Sequence, residues 1–360
     1  MPEQLPPDRS QSRWRCFASV AMGACAALIG FEAFLRVFIS PVEVVLPVIA
    51  SDSVAGTPVE IRQLQEGVAT THFSAGGAHL TGNAWIEPAH RVVIIGDSYV
   101  VARETADEQT MGAWLERIGR SASIPVDVRQ YGWRGASPAR YVVEGPAVLK
   151  RWQPDAVVVP ISTIDLDQHV VTGAKPMLSV AHDGSWRVVS DPSDTTTWAP
   201  RRRARSVLAE AIESRWAQLW VRAPRALRQL AASWDAQASV TSSSEIDPPL
   251  ELIPSAVVQS LKHAYGDRLV IAYLAVVRVI GDEHPDPLEV RLLDACRAQS
   301  VTCVSLREDM LAARKRGIIA RGFQTTTLGS GHLNAEGHRL VATAVWPYVR
   351  ERLAAAAAAR

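Results

Sequence analysis

Residues 90–99 read His90-Arg91-Val92-Val93-Ile94-Ile95-Gly96-Asp97-Ser98-Tyr99, a continuous apolar run that ends in Gly-Asp-Ser. A short apolar run bounded by turn residues is typical of a buried strand, and the turn after it presents the Ser98 hydroxyl. Near the other end of the chain, Gly331-His332-Leu333-Asn334 places a histidine just before a last predicted helix. A serine that attacks an acyl group needs a base, and histidine is the usual one because it titrates near neutrality. The sequence therefore contains both halves of a serine–histidine pair.

Further apolar runs follow the first one, and segments with helical patterns separate them. The predicted strands are Arg91–Ile95, Val126–Tyr131, Ala156–Ile161, Leu269–Leu274 and Val301–Leu306, and the predicted helices are Thr110–Gly119, Ala139–Arg151, Ile253–Tyr265, Pro287–Gln299 and a last one from about Ala335. Alternating strands and helices predict an α/β fold, a three-layer sandwich with a parallel five-stranded sheet between two layers of helices.

The N-terminal region has an apolar run at 16–35 that is broken only by Glu32. A helix needs ~20 apolar residues to cross a bilayer. Arginines before the run (Arg9, Arg13 and Arg15) favour a cytoplasmic N-terminus and an exported body. A cleaved signal peptide is the alternative, but its apolar core usually has only ~7–15 residues. The sequence therefore predicts a cytoplasmic segment at 1–15, a transmembrane anchor at 16–38 and a body that is extracytoplasmic, either periplasmic or at the cell surface.

The body divides into a connector at 39–88, which has no sustained period, and a domain at 89–360. Within the domain, the segment at about 168–249 interrupts the alternation of strands and helices. It is first rich in Gly, Ser, Asp and Thr and then rich in arginine with interleaved tryptophans. We interpret it as a helical insertion. Its Arg201-Arg202-Arg203 cluster fits an amphipathic helix packed on the domain, with contact to lipid headgroups or an anionic polymer as the alternative.

Several classes of function have no signal in the sequence. The formal net charge of +1 gives no electrostatic footprint for nucleic acid. A Walker loop, a Gly-x-Gly-x-x-Gly motif and a Cys-x-x-Cys pair are all absent, and the segment around His284 predicts a polar turn rather than a metal site. We expect no cofactor and no metal ion, and the sequence makes no prediction of the oligomeric state.

Two cysteines, Cys296 and Cys303, flank a predicted helix-to-strand turn. In an exported domain they form a disulfide or remain two buried thiols, because the sequence does not fix the separation of their Cα atoms.

The candidate functional groups follow the ends of the predicted strands. Ser98 follows the first strand, Gly132 the second and Asp165 the third, while His332 precedes the last helix. In an open parallel sheet, ligands bind beyond the carboxyl ends of the strands. All four residues are therefore expected at one edge of the sheet.

These residues resemble the motifs of the SGNH (GDSL-type) hydrolases, and the resemblance spans roughly 89–360 without the insertion. It implies a flavodoxin-like sheet, Ser98 as nucleophile and His332 as base. The backbone N–H groups of Ser98 and of Gly132, in Gln130-Tyr131-Gly132-Trp133-Arg134-Gly135, would then form the oxyanion hole. The Glu-x-x-Leu-Arg ending of the apolar run, Glu32 to Arg36, also resembles the anchors of membrane-tethered members.

Two positions depart from the pattern of that family. Its third block is Gly-x-Asn-Asp, whereas this chain has Ser162-Thr163-Ile164-Asp165. Isoleucine donates no hydrogen bond, and the loss of one oxyanion donor typically costs about 10²–10³ in rate. The family also has an aspartate three residues before the histidine, where this chain has Gly329. His332 would then be oriented by a backbone carbonyl, a water molecule or a distant carboxylate, as a Ser–His dyad.

The remaining residues of the predicted site have supporting roles. Asp97, Thr163 and Asp165 are expected to shape the loops, and Trp133 is a weaker candidate for lining the substrate. His338 is expected to be an exposed residue of the last helix.

The sequence thus predicts a membrane-anchored serine esterase or acyltransferase that acts on acyl esters through an acyl-serine intermediate. The predicted location and the resemblance to the SGNH hydrolases together imply acetyl esters of a cell-surface glycan as one candidate substrate. The alternative is a catalytically degenerate member that binds a polysaccharide or a partner protein without chemistry, and the two missing polar groups motivate it.

Overall fold

The structure is a computed structural model. It describes residues 9–38, 59–63, 69–74, 77–82, 90–133, 135–167, 176–181, 183–189, 251–277, 284–323, 326 and 329–360. The strands are β1 (Val59–Gln63), β2 (Ala69–Phe73), β3 (His90–Gly96), β4 (Val126–Gly132), β5 (Ala156–Ile161), β6 (Met177–Val180), β7 (Trp186–Val189), β8 (Leu269–Tyr273) and β9 (Thr302–Ser305). The helices are α1 (Arg9–Phe38), α2 (Ser98–Val101), α3 (Met111–Ser121), α4 (Pro138–Trp152), α5 (Thr163–Asp167), α6 (Ile253–Tyr265), α7 (Pro287–Ala298), α8 (Arg307–Lys315) and α9 (Ala335–Ala358), with 3₁₀ turns at Asp107–Gln109 and Gly266–Arg268.

The central sheet has five strands in the spatial order β4-β3-β5-β8-β9, and all the neighbouring strands run parallel. Each of the predicted strands overlaps one of these five, so the predicted parallel five-stranded sheet is confirmed. Of the strands that follow β3 along the chain, β4 lies on one side of it and β5 on the other. Such a reversal opens a crevice at the carboxyl ends of the two strands that flank it, and Ser98 lies there.

The sheet is buried on both faces because its strands are apolar at successive positions. Val92 and Ile94 belong to one core cluster, while Val93 and Ile95 belong to the other. Side chains alternate between the faces of a strand, and parallel sheets covered on both faces therefore have continuous apolar strands. The helices α3, α8 and α9 pack on the first face, and α4, α6 and α7 pack on the second.

Part of the predicted connector at 39–88 contributes to the folded domain. β1 and β2 form an antiparallel pair, and Phe73 at the end of β2 is buried. The N–H of His79 donates to the carbonyl of Gln130, so this segment lies along the outer edge of β4. A strand of five residues is too short to show a clear period in the sequence.

The predicted insertion at 168–249 begins with an antiparallel hairpin, β6 and β7, which the sequence did not indicate. Its arginine-rich helical portion lies outside the described residues.

The N-terminal helix α1 contains the whole predicted transmembrane segment, 16–38. Within the described part of the chain, none of the helices is long and apolar enough to span a membrane.

Cys296 and Cys303 form a disulfide with a Cα separation of 6.1 Å. It joins the last turn of α7 to β9. Of the two alternatives, a disulfide or two buried thiols, the structure contains the disulfide.

Candidate active site

The Ser98 hydroxyl is presented by a tight turn between β3 and α2. The Asp97 side chain accepts the N–H of Tyr99 at 2.9 Å and so caps the helix. Ser98 is the first residue of α2, and its N–H has no carbonyl of a preceding turn to bond. The helix ends after one turn, at Ala102, whose φ of 48° is left-handed. Ser98 is therefore held at a sharp strand-to-helix bend with its amide available.

The structure brings His332 to this serine. Its Nε2 lies 2.8 Å from the Ser98 Oγ, although 234 residues separate the two in the sequence. The His332 side chain keeps 24% of its surface exposed, so a substrate can reach the pair. A nucleophile and a base within hydrogen-bond distance at the carboxyl edge of a parallel sheet fit the geometry of covalent acyl transfer.

The loop that carries His332 is fixed mainly through its backbone. The N–H of Gly322 donates to the His332 carbonyl at 3.0 Å. The Asn334 amide donates to the carbonyls of Ile319 and Gly322, while its oxygen caps α9. The imidazole thus projects from a hydrogen-bonded loop immediately before a long, packed helix.

Arg321 was not predicted from the sequence, but it connects the two halves of the site. Its buried guanidinium donates to the Tyr99 hydroxyl at 2.5 Å and to the Leu274 carbonyl at 2.8 Å. It also donates to the Gly331 carbonyl at 3.4 Å. The edge of the Tyr99 ring packs against His332, with 5.4 Å between the ring centroids. In a chain rich in arginine, the sequence carries no signal that distinguishes this one.

The structure gives Gly132 a different role from the predicted oxyanion donor. The N–H of Trp133 donates to the Gly96 carbonyl in β3, so the N–H of the preceding residue, Gly132, points away from β3. A Cβ at Gly132 would lie 2.3 Å from the Val101 nitrogen and 2.8 Å from the Asp97 carbonyl oxygen. Gly132 therefore allows the turn of Ser98 to pack against the end of β4.

Gly135 is the exposed glycine of this segment, in the loop after β4. Its φ is +64°, and a Cβ built there would meet no atom within 4 Å. An oxyanion donor must be open to the substrate, so Gly135 fits that role better than Gly132. The sequence contained this signal, because the quoted segment has two glycines.

The third block supplies no hydroxyl in place of the missing asparagine. The Ser162 hydroxyl donates to Asp165 at 2.8 Å, and the Thr163 hydroxyl donates to Asp286 at 3.0 Å. Both are thus committed to carboxylates. The Ile164 side chain is 50% exposed at this position. The hydrogen bonds of Thr163 to Asp286 and of Asp165 to Ser162 hold this loop, and the loop-shaping roles expected of Thr163 and Asp165 stay predictions.

Asp97 and Asp165 are two buried carboxyls beneath the site. Burial raises the pKa of Asp165 to about 6, although hydrogen bonds from Ser162 and Tyr141 oppose the shift. Burial, together with the negative charge of Asp165, also raises the pKa of Asp97 well above its usual value. Both belong to the supporting structure of the turn rather than to its accessible surface.

The prediction that His338 is exposed was wrong, and Trp133, the weaker candidate for lining the substrate, is covered as well. Trp133 is buried within the core cluster of the second face and offers no free ring to a substrate. His338 is also buried, and burial lowers its pKa to about 3, so the imidazole is neutral. For both residues, the sequence pattern did not show whether neighbouring parts of the protein cover the side chain.

The described residues contain no cluster of three or more histidine, cysteine or acidic side chains that could hold a metal ion.

Comparison with solved structures finds similar folds among esterases. An acetyl xylan esterase aligns with 14% identity and a TM-score of 0.38, covering 72% of this chain and 99% of that chain. An acetyl xylan esterase from Geobacillus stearothermophilus aligns with 12% identity and a TM-score of 0.39, covering 74% of this chain and 96% of that chain. A member of the lipolytic G-D-S-L family from Veillonella parvula aligns with 13% identity and a TM-score of 0.35, covering 72% and 97%. These values assign no activity to this chain.

No protein-family model matches the sequence, and no curated protein matches it.

Proposed function

We propose that this protein is a serine esterase or acyltransferase that uses Ser98 as nucleophile and His332 as its base. The observation that carries the proposal is the 2.8 Å contact between the Ser98 Oγ and the His332 Nε2. The base atom must lie within about 2.6–3.2 Å of the heavy atom that carries the proton, and this pair meets the condition before any substrate binds. The hydrogen bonds of the turn and of the histidine loop hold both groups in this position.

The reaction follows from these positions. The His332 Nε2 takes the Ser98 proton as the Oγ bonds to the ester carbonyl carbon, and the carbonyl oxygen becomes an oxyanion. The N–H groups of Ser98 and Gly135 then donate to this oxygen. The imidazolium gives its proton to the departing alcohol oxygen as the ester C–O bond breaks, which leaves an acyl-serine.

The second half of the reaction decides between hydrolysis and transfer. His332 removes a proton from water or from a second alcohol, and that oxygen attacks the acyl-serine carbonyl. Water gives a free acid and an alcohol gives a new ester, and in both cases Ser98 recovers its proton. We propose acyl esters as the substrate class and acetyl esters of a cell-surface glycan as the first substrates to assay.

The proposal includes an extracytoplasmic location of the domain. It rests on the arginines that precede the apolar run and on the disulfide between Cys296 and Cys303. We expect rapid acid quenching and alkylation of whole cells to recover the two cysteines as a linked peptide. Recovery of both as alkylated thiols would place the domain in a reducing compartment instead.

Labelling with a fluorophosphonate tests the nucleophile directly. We expect the purified full-length protein to be labelled on the peptide that contains Ser98, because the reagent reacts with activated serines. Ser98→Ala and His332→Ala should both lose the label, while Ser330→Ala, in the same loop as the histidine, should keep it. A folded wild-type protein that takes no label would favour the alternative of a binding protein without chemistry, to which the exposed Ile164 also points.

A further inference from the structure

The second nitrogen of His332 faces a carboxylate that the sequence did not single out. Its Nδ1 lies 3.9 Å from the Glu104 Oε1, and only 5% of the Glu104 side chain is exposed. Glu104 lies in the loop after α2, on the same side of the sheet edge as Ser98. The His332 ring therefore lies between the Ser98 hydroxyl and the Glu104 carboxylate.

The backbone of the histidine loop explains why the carboxylate comes from another element. Gly329, three residues before His332, has a φ of +82°, which is left-handed and strained for most residues with a side chain. Its N–H donates to the Arg321 carbonyl at 3.0 Å, so the conformation is part of the loop's structure. An aspartate at this position would have to adopt that strained backbone.

The segment that contains Glu104 is also attached to the histidine loop. The hydroxyl of the next residue, Thr105, donates to the Leu333 carbonyl at 3.5 Å, and Leu333 follows His332 directly. Thr105 is itself held, since its N–H donates to the Ala102 carbonyl at 3.1 Å. Glu104 and His332 thus sit on two adjoining, mutually bonded loops.

We infer that Glu104 is the positioning residue of His332 and replaces the absent aspartate of the loop. This inference rests on the proposed function. The carboxylate favours the tautomer with a proton on Nδ1, which leaves Nε2 free to accept the Ser98 proton. When Nε2 takes that proton the ring becomes an imidazolium, which the nearby Glu104 carboxylate stabilises. The proton itself does not pass to Glu104.

A separation of 3.9 Å suits this role. Opposite charges within ~4–6 Å already favour the charged form of each, without a direct hydrogen bond. Catalytic contacts are also often longer before the substrate binds and shorten in the complex.

Other ionisable groups near His332 are Asp97 in the turn before α2, Tyr99 in α2, Arg321 in the preceding segment and His338 in α9. Asp97 is engaged with the Tyr99 N–H, and burial raises its pKa. His338 is neutral, because burial lowers its pKa to about 3. A substitution at Glu104 leaves all four in place, so its effect on His332 can be measured against a constant background.

The test is an NMR titration of the His332 ring in the full-length protein, beside Glu104→Gln. We expect wild-type ring nitrogen shifts with the proton on Nδ1. We also expect the midpoint of the His332 titration to fall by about one pH unit or more in Glu104→Gln, because the substitution removes a negative charge. Glu104→Asp, which keeps the charge, should retain most of the wild-type midpoint. Glu108→Gln, an exposed glutamate of the same segment, is the matched control and should leave it unchanged.

The kinetic readout uses the same variants on an activated acetyl ester. Glu104→Gln should lower kcat by about 10²–10⁴-fold and shift the acid limb of the pH profile, with KM much less affected. An unchanged midpoint in folded Glu104→Gln would overturn the inference, as would a wild-type ring with its proton on Nε2. The titration does not depend on catalytic activity. If only the proposed function is wrong, the His332 midpoint still shifts in Glu104→Gln, but the wild-type protein takes no fluorophosphonate.

Discussion

Replacing Ser98 with alanine is expected to lower kcat/KM for an activated acetyl ester by about 10⁴-fold or more. The substitution removes the Oγ that forms the bond to the carbonyl carbon, and a water molecule in its place has neither the position nor the orientation of the serine. His332→Ala should cause a loss of similar size, because the Ser98 hydroxyl then has no base within reach. Steady-state hydrolysis measured by release of the alcohol provides the comparison.

The double variant decides whether the two residues act as a unit. Groups that act in one step are strongly non-additive, so Ser98→Ala with His332→Ala should be about as slow as either single variant. Circular dichroism and unfolding curves of the three variants serve as the control for folding. If Ser98→Ala kept more than about one hundredth of the wild-type rate, the nucleophile would have to lie elsewhere.

Gly132→Ala is expected to lower the free energy of unfolding by about 3 kcal/mol. The new Cβ would approach the Val101 nitrogen to 2.3 Å and the Asp97 carbonyl oxygen to 2.8 Å, and both are backbone atoms that cannot rotate away. The turn that presents Ser98 must then shift away from β4. Urea unfolding monitored by tryptophan fluorescence measures the loss.

Gly135→Ala is the matched comparison. A Cβ there meets no neighbour, and only the left-handed backbone, with a φ of +64°, opposes it. Its cost should be about 1 kcal/mol. Equal losses of stability in the two variants would contradict the packing role that we assign to Gly132.

The sequence predicted the sheet because its strands are short, apolar and evenly separated by helical segments. The run before Ser98 is apolar at successive positions, as a strand buried on both faces requires. The meeting of Ser98 and His332 was also predicted without the structure, because their residue types and their places beside predicted strands and helices pointed to one edge of the sheet. The prediction of the sheet and the prediction of the serine–histidine pair both depend on local sequence pattern and on the shared direction of parallel strands.

The details that failed depend on contacts between distant segments. The direction of the Gly132 N–H is set by the register of β4 against β3. Glu104 reaches His332, and Arg321 reaches the neighbouring Gly331, only because segments distant in the sequence meet there. The burial of Trp133 and His338 likewise follows from which helices cover them, and one sequence does not contain that information.

The sequence separation of 234 between Ser98 and His332 also has a consequence for the timing of synthesis. The chain grows from its N-terminus, so the strand and turn of Ser98 emerge well before the loop and helix that bring His332. Until α9 docks against α3 and the sheet, the nascent serine has no base and resembles any other surface hydroxyl. The proposed pair of Ser98 and His332 therefore assembles only after the segment that carries His332 has been synthesised and has packed against the sheet.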